Sequence, residues 1–305
     1  MPIKLNADWT KGTQYFEYSS AADPSMSPIP VTLFPASLHQ IQETKVIPLD
    51  QSNSLGVPYP CTAPSLLANY LHINAGEQLR TRTNATSQVL YCIRGSGSLR
   101  VNSGCLDWSA GDFVALPGSW EVSFEAKEDA AFYWVHDGPL LSYLGATASS
   151  ERFRPLYFSA TALSEELEQV RQQNEGKARN RNGILLANVD CPTTKTVTHT
   201  MWSLYNLLPK GTRQKAHRHN SVALDLCVTA GANTYTLMGE KLDDEGNILH
   251  PRRADWSPGA AFVTPPGWWH SHHNESDEDA IVLPVQDAAL HTHLQTLDIR
   301  FSRGW

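Results

Sequence analysis

Short apolar runs separated by turn residues dominate the chain. SQVLYCIRGSGSLRV, GDFVALPG, VSFEA and AAFYWVHD in the first half are rich in β-branched and aromatic residues, as are WSLYNLLP, ALDLCVTAGANTYTLMG, AAFVTPPG and AIVLPVQD in the second. Runs of this length, broken by Gly, Pro, Asn and Asp, predict antiparallel strands closed into a sandwich or barrel. Between the two sets lies FSATALSEELEQVRQQNEGKARNRNG, where the pattern turns helical. Ser164 is the expected N-cap ahead of Glu165 and Glu166, and the helix runs out into a charged loop. The expected organisation is a β unit over residues 1–150 that includes an N-terminal arm, a helical linker over 151–185, and a second β unit over 186–305.

The two sets also repeat one another. DWSAGDFVALPG (Asp107 to Gly118) recurs as DWSPGAAFVTPPG (Asp255 to Gly267), and FYWVHDGPLL (Phe132 to Leu141) is echoed by IVLPVQDAAL (Ile281 to Leu290). A repeat this long implies one β unit used twice. The second copy carries an insertion, MGEKLDDEGNILHPRR, whose DDEGN predicts an exposed hairpin tip.

Composition removes some partners. With 24 basic against 31 acidic residues, a net charge of −7 and no basic run, neither nucleic acid nor an anionic membrane is an expected partner. No stretch reaches the ~20 apolar residues of a membrane span, and MPIKLNADWT lacks the apolar core of a secretory signal, so the expected location is cytoplasmic. At 305 residues the chain can bury large cores without a metal staple, so any metal would serve function. Five cysteines without a C-x-x-C pair read as reduced thiols, with Cys92 and Cys227 as small buried hydrophobes.

Candidate chemistry is concentrated in the second unit. KAHRHNSVAL places His217 and His219 two apart, so that strand alternation turns both to one face and Arg218 to the other. The segment TPPGWWHSHHN, after a Pro-Pro-Gly turn, offers His270, His272 and His273 from a strand able to pair beside the first. His291 and His293 form another H-x-H, but no Gly-Pro turn or third histidine follows, so a surface position is expected. The cluster of His250, Arg252 and Arg253 reads as part of a solvated hairpin.

From Gly211 the chain reads five residues, His217-x-His219, four residues, Leu224, six residues, Gly231. From Gly259 it reads five residues, Pro265-x-Gly267, two residues, His270, three residues, Asn274. Leu224 apart, this resembles the two cupin motifs position for position, and the duplication makes the chain resemble a bicupin: all-β, two jelly-roll (double-stranded β-helix) barrels in tandem with a few short helices. HRHNSVAL followed by GWWHSHHN is most similar to the gentisate and salicylate 1,2-dioxygenases. The resemblance implies His217, His219 and His270 as ligands of one Fe(II) per chain, with Mn or Zn as alternatives. The family's apolar residue in place of a fourth, glutamate ligand corresponds to Leu224, which is thereby expected to face the metal and substrate, while regular alternation would turn Asp225 away.

Three imidazoles leave about three of six octahedral positions open, enough for a bidentate substrate and dioxygen. Trp269 matches the family's tryptophan before the ligand and serves as core packing or as a wall of the substrate site. His272 matches a histidine thought to hydrogen-bond substrate or oxygen and is the candidate acid/base, a supporting structural role being the alternative. Regular alternation puts His272 about 6–7 Å along the strand from His270, and turns His273 outward to solvent.

The function implied is an extradiol-type, Fe(II)-dependent ring-cleaving dioxygenase acting on an ortho-hydroxylated aromatic acid, with that acid and dioxygen as partners and a homo-oligomeric assembly. The alternatives are a bicupin hydrolase or isomerase that uses no oxygen, and a non-catalytic bicupin that binds a small ligand. The first unit departs from the motif. Five residues after Gly76 stand Arg82, Thr83 and Asn84, and the turn PGSWEV puts Glu121 or Val122 where the third histidine belongs. An Arg82–Glu121 ion pair, or simply a barrel filled by side chains, is expected there and no metal. Family members usually carry iron in the first unit, and here the motif is in the second.

Overall fold

The computed structural model describes residues 10–22, 25–102, 104–174 and 181–302. The first ten residues, apart from Thr10, and most of the charged loop after the linker helix lie outside the described residues. All strand pairings are antiparallel and form two sandwiches. In the first unit, a six-stranded sheet runs in the order Leu156–Phe158, Phe113–Pro117, Ser87–Arg94, Ala130–His136, Leu67–Ile73, Lys45–Pro48. It faces a four-stranded sheet of Gln78–Thr81, Val122–Ala126, Ser96–Val101 and Gly104–Ser109. In the second unit, the six-stranded sheet is Leu33–Phe34, Ala261–Thr264, Ala223–Thr229, Ala280–Gln286, Trp202–Leu208, Asn182–Leu186. Its partner has five strands: Arg252–Asp255, Thr234–Gly239, Trp269–Asn274, His217–His219 and Ile299–Phe301. This is the expected all-β architecture of two tandem jelly rolls.

The continuous apolar runs have a packing reason. In the first unit, Leu90, Cys92, Phe132 and Trp134 point into the sandwich. Alternate residues of the same strands, Val89, Tyr91, Tyr133 and Val135, point outward into a second core shared with Leu207, Leu224, Val263 and Val285 of the second unit. The two large sheets therefore pack against one another and are covered on both faces. A sheet so covered needs apolar residues at every position, not at alternate ones.

The chain crosses between the units on either side of the first one. Leu33–Phe34, inside the span read as the first unit's arm, pairs with Phe262 and Ala261 of the second. Leu156–Phe158, inside the linker span, completes the first unit's sheet against Phe113–Ala115. Each large sheet thus has an edge covered by a short strand, which shields its unpaired backbone groups.

The linker helix is Ala160–Gln173, and its cap is Ser159, whose side chain accepts from Ala162 N at 3.1 Å. Ser164, expected at the cap, lies one turn inside and donates to Ala160 O at 2.9 Å. The start is set from outside the helix: Ala160 N donates to Asp112 Oδ1 at 2.8 Å, which fixes the first turn on the first unit's sheet. Leu163 and Leu167 bury its inner face. No helix among the described residues is long and apolar enough to cross a membrane. The DDEGN tip is a turn as expected, with Gly246 N bonded to Asp243 O and Leu242 bridged to Ile248. Cys92 and Cys227 are fully buried in apolar clusters.

Two aspartates at equivalent places in the repeat tie the units together. Asp137 accepts from Thr86 N at 2.7 Å and Ser87 N at 3.1 Å within its own unit, and from Thr200 Oγ1 of the other at 2.8 Å. Asp287 accepts from Val222 N at 2.9 Å and, across the interface, from Ser65 Oγ at 2.7 Å. Removing such a carboxylate leaves several buried donors unpaired. Asp137→Ala is expected to destabilise the fold by about 3 kcal/mol, seen as a lower urea midpoint, with Asp137→Asn costing less.

Candidate metal centre

A tight turn at Gly211, with φ of +66°, feeds the chain toward the short strand His217–His219. That strand lies between Trp269–Asn274, with His217 directly opposite His270, and Ile299–Phe301. The Pro265-Pro266-Gly267 turn is anchored by Gly267 N donating to His219 O at 2.7 Å, with Gly267 at φ +76°. These contacts bring His217, His219 and His270, all buried, so close that one ligand nitrogen from each lies within 4.8 Å of the others. Arg218 points to the other face, its guanidinium 5.1 Å above the Trp269 ring.

The rings are oriented as well as gathered. His217 Nδ1 lies 3.2 Å from His270 O, His219 Nδ1 2.9 Å from Ser221 O, and His270 Nδ1 3.1 Å from Trp268 O. A carbonyl oxygen only accepts, so in His219 and His270 Nδ1 carries the proton and Nε2 keeps its lone pair, whereas His217 Nδ1 also faces the donor Arg181 Nη2 at 2.6 Å. Burial, followed by neighbouring cationic groups, holds His217 and His270 well below the usual imidazole pKa. It brings His219 down to about 4. Three neutral imidazoles, each with a ring nitrogen beside a backbone acceptor, form a donor set that could hold a metal ion.

Beside the cluster lies a cavity of about 220 Å³, bounded by the five-stranded sheet with the histidines and the six-stranded sheet opposite. A cavity of roughly 150 Å³ takes a benzene ring, so this one has room for a single substituted ring. Leu204, Pro284, Ile299 and Phe301 supply apolar wall, while Arg181, Asn206 and Asp225 supply polar groups.

His272 also lines the cavity, with its ring centroid 5.9 Å from that of His270, and stands outside the three-histidine group. Its Nδ1 is 2.8 Å from Thr236 Oγ1, which itself accepts from Trp256 Nε1 at 2.8 Å. The other expected substrate contacts are displaced. Leu224 is 1% exposed and belongs to the core between the units, while its neighbour Asp225 faces the cavity. The motif position points to Leu224, whereas strand alternation counted from His219 in even steps leads to Asp225, the residue found at the cavity. Trp269 alternates away from the cavity and stacks under Arg218 instead of forming a wall.

His273 is half-buried where solvent was expected, stacked on Tyr235 at 4.9 Å between ring centroids and nearly parallel to it. His291 and His293 sit in the last turn of the helix Ala288–His293, away from the cluster. Arg253 lies over the Tyr235 ring at 3.6 Å and pairs with Asp255.

Sequence reasoning missed Arg181 and Asp225. Arg181 Nη2 lies 2.6 Å from His217 Nδ1 and 2.8 Å from Nε2, and burial brings its pKa down to about 10. Nothing local marks it, since it comes from the end of the charged linker. Asp225 is 3% exposed, and burial pushes its pKa up to about 7.

In the first unit the corresponding space is filled. Leu90, Leu99, Val122, Phe124 and Phe132 pack into one core there, with Val122 taking the inward position. Arg82 and Glu121 are both exposed, and among the described residues they form no ion pair.

No family model matches the chain. A stretch of 112 residues is 29% identical to 5-aminosalicylate 1,2-dioxygenase of Comamonas sp., covering 36% of this chain and 27% of that protein. A stretch of 129 residues is 26% identical to gentisate 1,2 dioxygenase 1 of Aquipseudomonas alcaligenes, covering 42% of this chain and 33% of that protein. The chain thus matches a third or less of the length of these relatives. Salicylate 1,2-dioxygenase from Pseudaminobacter salicylatoxidans superposes with a TM-score of 0.71 at 16% identity, covering 91% of this chain and 89% of that one. Its adduct with gentisate gives 0.72 at 14%, covering 92% and 87%. A variant of Bacillus subtilis oxalate decarboxylase gives 0.55 at 14%, covering 83% and 76%. At such identities the shared property is the fold, and the chain has the bicupin fold of salicylate 1,2-dioxygenase.

Proposed function

We propose that the protein is an iron(II)-dependent, extradiol-type dioxygenase that opens the ring of an ortho-hydroxylated aromatic acid between its two substituted carbons. The observation that carries this reading is the convergence of three neutral, buried imidazoles on the wall of a ring-sized cavity. Three imidazoles and no carboxylate ligand leave a divalent ion short of charge and of ligands, which suits a chelating anionic substrate. Iron(II) held there would supply Lewis acidity and redox chemistry with dioxygen, both of whose atoms end in the product. His217, His219 and His270 would hold it, and their carbonyl contacts would keep each ring aimed.

The remaining side chains bind and orient. Arg181, the one cationic side chain lining the cavity among the described residues, is suited to receive the substrate carboxylate. It lies against His217, and with a cation held by the histidines its guanidinium would be favoured beside the anionic end of the substrate. Leu204, Pro284 and Phe301 cover the ring faces and exclude water. His272 is placed to hold or move a proton at Nε2.

Oxygen consumption by protein loaded anaerobically with iron(II), followed with a panel of hydroxybenzoates, tests the proposal. Uptake of one dioxygen per ring opened is expected for at least one acid. Conversion without oxygen would favour a hydrolase or isomerase, and a tightly bound but unconverted acid a binding protein.

A further inference from the structure

The sheet that carries the three histidines has a second face. Along Trp269–Asn274, His270 and His272 line the inner cavity, while Ser271 and His273 alternate outward into another cavity, of about 460 Å³. One side of it is formed by residues 213–215, which lead into the strand His217–His219, and the other by residues 245–248 of the inserted hairpin. The first unit has no such insertion, its strands Ser96–Val101 and Gly104–Ser109 following one another almost directly. Two buried polar atoms of this cavity lack a partner among the described residues. Gln214 is 7% exposed, and its Oε1 bonds to nothing. His273 Nε2 is engaged by Ser271 Oγ at 2.8 Å, which leaves its buried Nδ1 unbonded. Buried polar groups are normally satisfied, and two exceptions in one cavity mark a place where a ligand belongs.

Charge and bonding capacity narrow the choice of ligand. Arg213 and Lys215 border the cavity, and Glu245 is the one acidic side chain in its lining, so cations are in excess. Arg213 donates through Nη2 to Glu275 Oε1 at 2.6 Å, a bond that engages one of the five donors of a guanidinium. A carboxylate therefore fits beside the two cations, and Gln214 Oε1, an acceptor, requires a donor on the same molecule. A groove of similar size, about 470 Å³, on the small sheet of the first unit has neither property. There Arg80 and Arg100 stand with Glu121 and Glu125, and among the described residues no buried, unpartnered atom borders it. We propose that the outer cavity of the second unit is a second ligand site, for a small acid that carries a hydroxyl or ammonium group on the carbon beside a carboxylate: Lys215 and Arg213 hold the carboxylate, and Gln214 accepts from the donor. The site does not depend on the dioxygenase reading, although its floor is the back of the strand that carries His270.

The test is calorimetric titration of the iron(II)-loaded chain, under exclusion of oxygen, with L-malate, L-aspartate and succinate. These acids share one carbon frame and differ in carrying a hydroxyl, an ammonium or only hydrogen beside the carboxylate. Malate or aspartate is expected to bind ~10-fold more tightly than succinate, the difference that one hydrogen bond makes, and the preferred acid identifies the donor. Lys215→Ala, at an exposed position, should weaken binding of that acid by ~10-fold. Gln214→Leu should bring its affinity down to that of succinate. Metal content and thermal unfolding of both variants show that fold and metal centre are intact. His217→Ala, emptied of metal, should bind the acid as the wild type does, which separates this site from the metal centre. No binding by any of the three acids, equal binding of all three, or binding that survives Lys215→Ala and is lost in His217→Ala overturns the proposal.

Discussion

Substituting His217 with alanine is expected to empty the metal centre. The wild-type chain should bind one transition-metal ion, measured by elemental analysis after anaerobic loading and desalting. The variant should fall close to zero, with ring cleavage lost in parallel. The magnitude follows from the geometry: two remaining imidazoles on adjacent strands cannot enclose an ion, and His217 is the ring that lies directly opposite His270. Losing a residue that merely orients a ligand already costs roughly 10–100-fold in metal affinity, and losing a ligand costs more. His219→Ala and His270→Ala should behave alike. Arg82→Ala and Glu121→Ala should leave stoichiometry at one, since both side chains are exposed while the first unit's interior is packed with Val122, Phe124 and Phe132. Two ions per chain, or an unchanged content in His217→Ala, would place the metal elsewhere.

How far the sequence could be read depended on what held each feature in place. The H-x-H pair and the Pro-Pro-Gly-x-x-His turn were legible because each spacing lies within one strand or one turn. Its geometry is then fixed by the backbone alone: alternation puts His217 and His219 on one face, and the turn carries His270 opposite. The tandem repeat was legible for the same local reason.

What failed was whatever a distant contact decides. Motif spacing points to Leu224, but that side chain joins the core shared by the two units, and Asp225, an even number of residues from His219, faces the cavity. The helix begins at Ala160 because Asp112 grips its first amide, a partner 48 residues back in sequence. Arg181 reaches the histidines from a linker whose composition reads as solvated loop. The exchange of Leu33–Phe34 onto the second unit involves two residues, too few for any periodicity to show.

The second large effect is expected at His272, without loss of metal. Its ring lies 5.9 Å from that of His270, in keeping with two positions along one strand, and it shares the cavity without joining the three-histidine group. Its immediate partner also differs from theirs. His219 and His270 give Nδ1–H to carbonyl oxygens, whereas His272 Nδ1 meets the hydroxyl of Thr236. Because Trp256 Nε1 already donates to that hydroxyl oxygen, the Thr236 proton is free to point at Nδ1. His272 then carries its own proton on Nε2 and offers the cavity a donor in place of a lone pair. Burial holds its pKa well below the usual value, so the ring enters the reaction neutral, with its Nε2–H placed to donate to a ligand in the cavity.

His272→Ala should therefore keep close to one metal per chain and near wild-type binding of the aromatic acid under anaerobic conditions, while kcat falls by about 10²–10⁴-fold. Thr236→Val, which removes the proton donor to Nδ1 and leaves the Nε1–H of Trp256 without its acceptor, should lower kcat by a smaller factor and leave metal content unchanged. Loss of metal from His272→Ala would make the residue a ligand or the support of one, and an undiminished kcat would reduce it to packing against Trp256.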